Sequence, residues 1–346
     1  MSNSLLARYA ECIFWLARFV ERAENLARIL EVHETYARDK SGTRDWYSIV
    51  QLNADEETFA GKHSTPSARN VIRFYLTDRE NPTSILNAVK NARENGRTLR
   101  PLISTEMWVQ LNVFYNRLNR IDDGELTPGA LSPLLNDIKE ACQTFTGITE
   151  GTFYRDQAWY FYRLGRYLER ADQTTRLLDS KYYVLMRDPD VANMVNTGQW
   201  LALLRAASGY HAFRLLHQSD LTSWRIASFL LFNPRFPRSV FLCVREVDAA
   251  VTGLRSRYNL RGGYDVAEGL DQLRAILGTR SIEEVLAGGL HEFIDFIQRY
   301  LIAITDRLGA AFFGHPPVAN AASEDTKTWP PFTPSVAGGL QIQSQA

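Results

Sequence analysis

The stretch ARFVERAENLARILE, residues 17–31, has the spacing of a long amphipathic α-helix, and GRYLERADQTTRLLD, residues 165–179, nearly repeats it 148 residues later. Apolar side chains recur every three or four residues and form one broad face of each helix. Charged side chains recur at the same spacing on the opposite face. The two copies predict helices with one buried side, and their similarity predicts two related halves of the chain.

A second repeated block supports this organisation. FYLTDRENPTSILNAV, residues 74–89, resembles FLLFNPRFPRSVFLCV, residues 229–244, at an offset of 155 residues. Because two blocks recur in the same order, we expect an all-α, multi-helix bundle of about twelve helices, built from two tandem duplicated halves at 1–150 and 151–313. Residues 314–346 contain five prolines and no helical pattern, which predicts a disordered, proline-containing tail.

Helical spacing continues along the chain as far as residue 313. The predicted helices cover residues 4–40, 44–61, 66–77, 82–97, 101–121, 131–148, 152–187, 197–217, 221–232, 237–258, 265–277 and 281–313. Four prolines are expected in the first turns of helices, where a missing backbone N–H does no harm. They are Pro66, Pro82, Pro101 and Pro237. Ser281 and Glu284 have the spacing of a capping box.

The overall amino-acid composition limits the classes of partner that the chain is expected to bind. The 346 residues include 39 Lys and Arg and 39 Asp and Glu, so the chain has no net charge to attract nucleic acid or an anionic membrane. Three widely spaced cysteines predict no disulfide framework, and no apolar run is long enough to span a bilayer. The amino terminus lacks a signal-peptide pattern. We therefore expect a cytoplasmic protein with no nucleic-acid or membrane partner.

Sequence motifs of known chemistry are missing. No G-x-S-x-G, Walker-type or G-x-G-x-x-G pattern occurs, and neither does an H-x-x-x-H or H-E-x-x-H pair. His291 and Asp295 have i, i+4 spacing, but two ligands make an incomplete metal site. The sequence predicts no cofactor and no metal, and it names no catalytic residue.

The charged face of the repeated helix carries the candidate binding residues. Solvated charges are free to change identity, and Glu24 of the first copy is indeed Asp172 in the second. Four other charged residues keep both identity and register. They are Arg18, Glu21, Arg22 and Arg28 in the first copy, and Arg166, Glu169, Arg170 and Arg176 in the second. We expect these residues to be partly buried, facing each other between the halves or lining a shared cleft.

Two arrangements of these residues are open. In the first, Glu21 pairs with Arg170 and Glu169 with Arg22, and the pairs hold the two halves together, because breaking a buried ion pair costs about 3–5 kcal/mol. In the second, the surplus of arginine makes a positive cleft. Such a cleft takes a carboxylate or a phosphate through bidentate hydrogen bonds.

The chain resembles the alpha-E domain family, bacterial all-helical domains named for a Glu-Arg motif. The resemblance covers nearly all of residues 4–313 and rests on WLARFVERAENLARILE, RENPTSILNAVKNARENGRTLR, STEMWVQLN, YRLGRYLERADQTTRLLD and NPRFPRSVFLCV. By resemblance, the motif positions are Glu21, Arg22, Glu169 and Arg170, and a second charged segment of the family contains Arg93, Glu94, Asn95 and Arg97.

The resemblance also implies a function. The family has no established activity. In gene neighbourhoods, its members resemble partners of ATP-grasp ligases and transglutaminase-like peptidases, which implies a part in making or trimming amide-linked peptides. The leading hypothesis is a binding or accessory protein that presents an arginine-lined cleft to an anionic peptide, a carboxylate or a partner ligase. One alternative is an enzyme that uses Glu21 or Glu169, with a pKa raised by burial, as a general acid or base. The other is a purely structural scaffold.

Overall fold

The structure of the chain, a computed structural model, describes residues 5–38, 46–127, 130–186, 195–218, 221–260 and 262–317. These residues form α-helices, with no strand among them, so the all-α class is confirmed. The predicted tail lies outside the described residues from residue 318 onward. The helices are α1 (Ala7–Arg38), α2 (Tyr47–Leu52), α3 (Glu56–Ala60), α4 (Ala68–Leu76), α5 (Ile85–Thr98), α6 (Thr105–Leu118), α7 (Leu131–Thr152), α8 (Gln157–Met186), α9 (Val195–Ala206), α10 (Tyr210–Leu216), α11 (Ser223–Phe232), α12 (Val240–Tyr258), α13 (Tyr264–Thr279), α14 (Ile282–Gly288) and α15 (Leu290–Leu308).

The two long helices that carry the repeated motif form the centre of the bundle. α1 packs along α8, while α5 and α7 also cover α1, and α12 and α15 also cover α8. The apolar faces are buried, with Phe14, Leu16, Leu164 and Leu168 at most 2% exposed. Because both helices are covered on several sides, their charged faces are also drawn into the interior.

The close crossing of α1 and α8 depends on a glycine. A Cβ atom at Gly165 would lie 2.1 Å from the carbonyl oxygen of Phe14, far inside contact distance. The equivalent position of the first copy is Ala17, which is 2% exposed. Small residues at both positions let the two backbones approach closely, so that the side chains one turn further along each helix meet.

Serine side chains cap the helices near the four prolines expected in first turns. Each serine hydroxyl accepts a hydrogen bond from the backbone N–H three residues ahead, which satisfies a group that the first turn leaves unpaired. The caps are Ser67, Ser84, Ser104 and Ser239. The prolines lie one to three residues before these caps, so their expected position inside the first turn is wrong. The capping box of Ser281 and Glu284 is confirmed.

Three of the predicted helices are broken, so the described residues form fifteen α-helices instead of about twelve. The segment 44–61 is interrupted at Ala54 and the segment 197–217 at Ser208, both with a φ of 54°. The segment 281–313 is interrupted at Gly289, which has a φ of 96°, and ends in a π-helical turn at Gly309–Phe313. A residue with a positive φ ends an α-helix. Alanine and serine rarely adopt a positive φ, so their presence in the sequence does not predict these breaks.

Candidate functional site

Glu21 on α1 reaches across to α8 and is almost entirely buried. Its carboxylate accepts two hydrogen bonds of 2.8 Å from Arg170, from Nε to Oε1 and from Nη2 to Oε2. Nη1 of Arg238, which precedes α12, donates to Oε1 at 2.8 Å. Nε of Arg166 lies 3.8 Å from Oε2. With Glu21 only 3% exposed, three guanidinium groups surround one carboxylate and leave little access for water.

Glu169 on α8 makes the reciprocal contacts to α1. Its carboxylate, 0% exposed, accepts from Nε of Arg22 at 2.6 Å, from Nη2 of Arg22 at 3.0 Å and from Nε of Arg18 at 2.8 Å. Gln173, one turn further along α8, donates to Oε1 of Glu169 at 3.2 Å. Asn25 has the matching place on α1, 3.4 Å from Glu21. Each carboxylate is therefore bound by arginines of the opposite helix and by an amide of its own helix.

The contacts between α1 and α8 match the first of the two arrangements open from the sequence, in which the ion pairs are structural. Glu21 pairs with Arg170, and Glu169 pairs with Arg22, so the prediction that the motifs face each other in the interior is confirmed. Removing one partner of a buried pair leaves an uncompensated charge, at a cost of about 3–5 kcal/mol. These four residues consequently hold α1 against α8.

Arg28 and Arg176, also expected in the site, bind carboxylates of their own helices. Arg28 pairs with Glu24 at 2.6 Å and Arg176 pairs with Asp172 at 2.9 Å. The expectation that Glu24 is solvated is wrong, because its side chain is 6% exposed. A change from glutamate to aspartate keeps the charge and the i, i+4 pairing, and so does not indicate exposure.

Arg238 is a site residue that comparison of the repeats misses. Its guanidinium is buried, and besides Glu21 it binds Asn25 through Nη1 at 2.7 Å and Glu24 through Nη2 at 2.9 Å. At the offset of 155 residues, the corresponding residue is Thr83, so the similarity between the two sequence blocks gives no indication of an ion pair. The available signal is the position of an arginine directly before Ser239, the buried cap of α12. We call the following residues the central ion cluster: Arg18, Glu21, Arg22, Glu24, Arg28, Arg166, Glu169, Arg170, Asp172, Arg176 and Arg238.

Burial and arginine neighbours act in opposite directions on the two motif glutamates. Burial raises the pKa of each carboxyl, but the guanidinium groups together outweigh it. As a result, the pKa of Glu21 falls well below its usual range, and the pKa of Glu169 falls to about 2. Both groups are ionised at neutral pH. This direction is opposite to the raised pKa that a general acid or base at either position would need.

Arginine outnumbers carboxylate in the central ion cluster, seven to four. Arg18 donates only through Nε within the described residues, and the side chains of Arg18 and Arg22 are 12% and 26% exposed. Nε of Arg166 is buried and has no hydrogen-bond partner in the described part of the chain, while its Nη1 lies 3.2 Å from Glu150 at the rim. The cluster therefore keeps positive charge at its edges.

The space beside the cluster is small. One crevice, of about 90 Å³, is lined by Arg18, by the carboxylates of Asp172 and Asp306, and by Leu168, Leu301, Ile302 and Thr305. Another, of about 10 Å³, is lined by Asn25, Gln173 and Arg238, which is room for about one water molecule. Neither volume is large enough to hold a peptide chain.

The charged segment of α5 lies apart from the central ion cluster. Arg93 and Arg97 pair with Glu94 at 2.9 Å and 2.6 Å, and Nε of Arg93 donates to Asn112 of α6 at 2.7 Å. Asn95, on the same helix, is half-buried. The four residues of this segment that were candidates for the same site thus form a separate group between α5 and α6.

His291 and Asp295 take different partners and do not form the start of a metal site. His291 lies 2.6 Å from Asp179, and Asp295 lies 3.3 Å from Arg299. Across the described ranges, no group of three or more His, Cys, Asp or Glu side chains is placed to hold a metal ion. Within the same ranges, no helix combines the length and the apolar character needed to cross a membrane.

The fold and the site together define a class: an all-helical domain whose two central helices are joined by reciprocal Glu-Arg pairs. The chain belongs to the Alpha-E family, described as a predicted alpha-helical domain with a conserved ER motif, and matches it over residues 5–313. Among curated proteins, it is similar to uncharacterized proteins of Mycobacterium bovis and Mycobacterium tuberculosis, with 23% identity over 301 residues in each case. The match covers 80% of this chain and 33% of each relative, so the chain spans about a third of the length of these relatives. No solved structure matches the chain.

Proposed function

We propose that this protein is a helical accessory module in which the central ion cluster joins α1 and α8 into a rigid core, and that it is not catalytic by itself. One observation carries the proposal: both motif glutamates are committed to arginines of the opposite helix. A carboxylate held ionised by several guanidinium groups is a structural ion, because its partners block both proton transfer and substrate approach. This geometry favours the scaffold hypothesis over the enzyme hypothesis.

The proposed partner is an ATP-grasp ligase or a transglutaminase-like peptidase of peptide or amide-bond metabolism in the cytoplasm. The family resemblance supports this partner. The mycobacterial relatives support an accessory role, because the matched region is 33% of each of those longer chains. A pull-down with the tagged full chain from its native host tests the proposal. Recovery of such a ligase or peptidase supports it, and recovery of neither contradicts it.

A second candidate function, recognition of a carboxylate group, is favoured by Arg18. Its Nη1 and Nη2 atoms have no hydrogen-bond partner among the described residues, and the side chain lines the crevice of about 90 Å³. A guanidinium with both amino groups free binds a carboxylate bidentately. The ligand class is therefore the carboxylate end of a peptide or a small carboxylic acid.

We also propose that residues 1–150 and 151–313 are copies of one ancestral unit, followed by a tail at 314–346. The reciprocity of the ion pairs supports the duplication, because contacts from α1 to α8 are matched by contacts from α8 to α1. The capping serines also support it. Ser84 and Ser239, which are equivalent in the repeat, each donate to the carbonyl oxygen six residues earlier.

Substitution of Glu21 and Glu169 by Gln, one at a time, separates the structural role from the carboxylate site. The melting temperature and the binding of acetate are measured for each variant. A large loss of stability supports the structural role. Unchanged folding with tighter acetate binding in Glu169→Gln, but not in Glu21→Gln, supports the carboxylate site, because only Glu169 is paired with Arg18. If neither property changes, the charged faces are solvated and both proposals fail.

A further inference from the structure

The outer face of α5 and the turn that follows it carry four cations and one carboxylate. They are Lys90, Arg93, Glu94, Arg97 and Arg100. Helical spacing places the first four on one side of α5, and Lys90, Arg97 and Arg100 are exposed. Arg93 and Arg97 both pair with Glu94. Lys90 and Arg100 have no ion-pair partner in the described part of the chain. This face keeps a local excess of positive charge although the whole chain is neutral.

α6 supplies an ordered aromatic surface beside these cations. The guanidinium groups of Arg93 and Arg100 lie over the ring of Trp108, 5.5 Å and 5.1 Å from its centroid, and Arg93 also lies 5.2 Å from the ring centroid of Tyr115. Asn112 orients Arg93 further by accepting from its Nε at 2.7 Å. Because stacking and hydrogen bonding hold these guanidinium groups in place, a ligand that binds them loses less side-chain entropy.

An apolar stripe continues this surface along α6. Val109 and Val113, one turn apart, are 51% and 57% exposed, and they lie about 100° further around α6 than Trp108 and Asn112, which precede them in sequence. Arginine and aromatic residues beside exposed aliphatic side chains are typical of protein–protein interfaces. We call the following residues the α5–α6 surface: Lys90, Arg93, Arg97, Arg100, Trp108, Val109, Asn112, Val113 and Tyr115.

We propose that the α5–α6 surface binds an acidic, amphipathic helical segment of a partner protein. Charge complementarity calls for carboxylates, since guanidinium groups with free donors bind them bidentately. The valine pair calls for apolar side chains at helical spacing in the same segment. A single-stranded nucleic acid fits less well, because the guanidinium groups already cover the Trp108 ring on which a base would stack. The proposal rests on the accessory role above and adds the place where the partner is held.

Fluorescence anisotropy of the full chain with a labelled synthetic peptide tests this inference. The peptide consists of glutamate and leucine, with leucine at helical spacing. Binding is expected to weaken as salt is added, and to be about tenfold weaker in a variant with both Arg97→Gln and Arg100→Gln. The same peptide with glutamine in place of every glutamate is expected not to bind.

Arg225→Gln is the matched control, because Arg225 also stacks on a tryptophan, 4.9 Å from the ring centroid of Trp224, but belongs to α11. Three results would overturn the proposal: equal affinity in the wild type and the double variant, equal weakening by Arg225→Gln, or tighter binding of an oligouridylate than of the peptide. The substitutions lie outside the central ion cluster, so unchanged melting temperatures are expected. A negative result would therefore contradict peptide binding at the α5–α6 surface. It would not bear on the accessory role, which the pull-down tests separately.

Discussion

Replacement of Glu169 by Gln measures how strongly the central ion cluster stabilises the fold. The amide has the same shape, but its single carbonyl oxygen can keep only part of the three hydrogen bonds of 2.6–3.0 Å from Arg18 and Arg22. Breaking a buried ion pair costs about 3–5 kcal/mol. Because the two arginine side chains are 12% and 26% exposed, water offsets part of the lost interaction. We therefore expect the free energy of unfolding to fall by about 3 kcal/mol, at the lower end of that range.

Urea unfolding followed by tryptophan fluorescence measures this difference, and the melting temperature of a chain of this length is expected to fall by about 4–5 °C. Glu150→Gln is the control, because Glu150 also pairs with an arginine, at 3.2 Å, but its side chain is 45% exposed. An exposed pair contributes about 0–1 kcal/mol. Equal losses in the two variants would refute the reasoning, because burial sets the expected difference.

The other predictions concern the helix crossing, acid stability and the thiols. Gly165→Ala is expected to destabilise the fold by about 1–3 kcal/mol, because the new Cβ would press on the backbone of α1. Gly147→Ala, with nothing within 4 Å of the new Cβ, should stabilise it by about 0.5–1 kcal/mol. Urea unfolding measures both changes, and the reverse order of stabilities would contradict the close crossing of α1 and α8. Folding lowers the pKa of Glu169 from 4.5 to about 2, so its ion pairs stabilise the fold above about pH 4.5 and are lost as the pH falls toward 2. The urea midpoint should therefore drop more steeply across this window in the wild type than in Glu169→Gln, and parallel curves would contradict the lowered pKa. Burial raises the pKa of the Cys142 and Cys243 thiols, so both should resist an aromatic disulfide reagent until the chain unfolds, and rapid labelling of the folded chain would contradict their burial.

Helical periodicity accounts for most of what the sequence predicts correctly. The equal register of Glu21 and Glu169 in two similar helices indicates reciprocal pairing with Arg170 and Arg22, which the structure contains. The choice between pairing and an open cleft depends on how closely the helices cross. That distance is set by the contact of Gly165 with the backbone of α1, a tertiary contact that the spacing of residues does not contain.

Comparison of the similar sequence blocks fails in two situations. One is a position where the blocks have different residues, and the other is a position where the charge is the same but the residue type has changed. Arg238 replaces Thr83 and contacts three residues of α1, although the repeat gives no reason to expect it. Glu24 is buried although it becomes Asp172 in the second copy, because both residues pair with an arginine one turn away. The α5 segment has the same kind of charged residues as the motif, but its cations stack on Trp108 instead of entering the core.

A double-mutant cycle between Glu21 and Arg170 tests most directly whether buried Glu-Arg pairs hold α1 to α8. The two side chains are 3% and 7% exposed and share two hydrogen bonds of 2.8 Å. Urea unfolding of Glu21→Gln, Arg170→Met and the double variant gives the coupling free energy. We expect about 2–3 kcal/mol. A coupling below about 0.5 kcal/mol, as found for independent sites, would contradict the account.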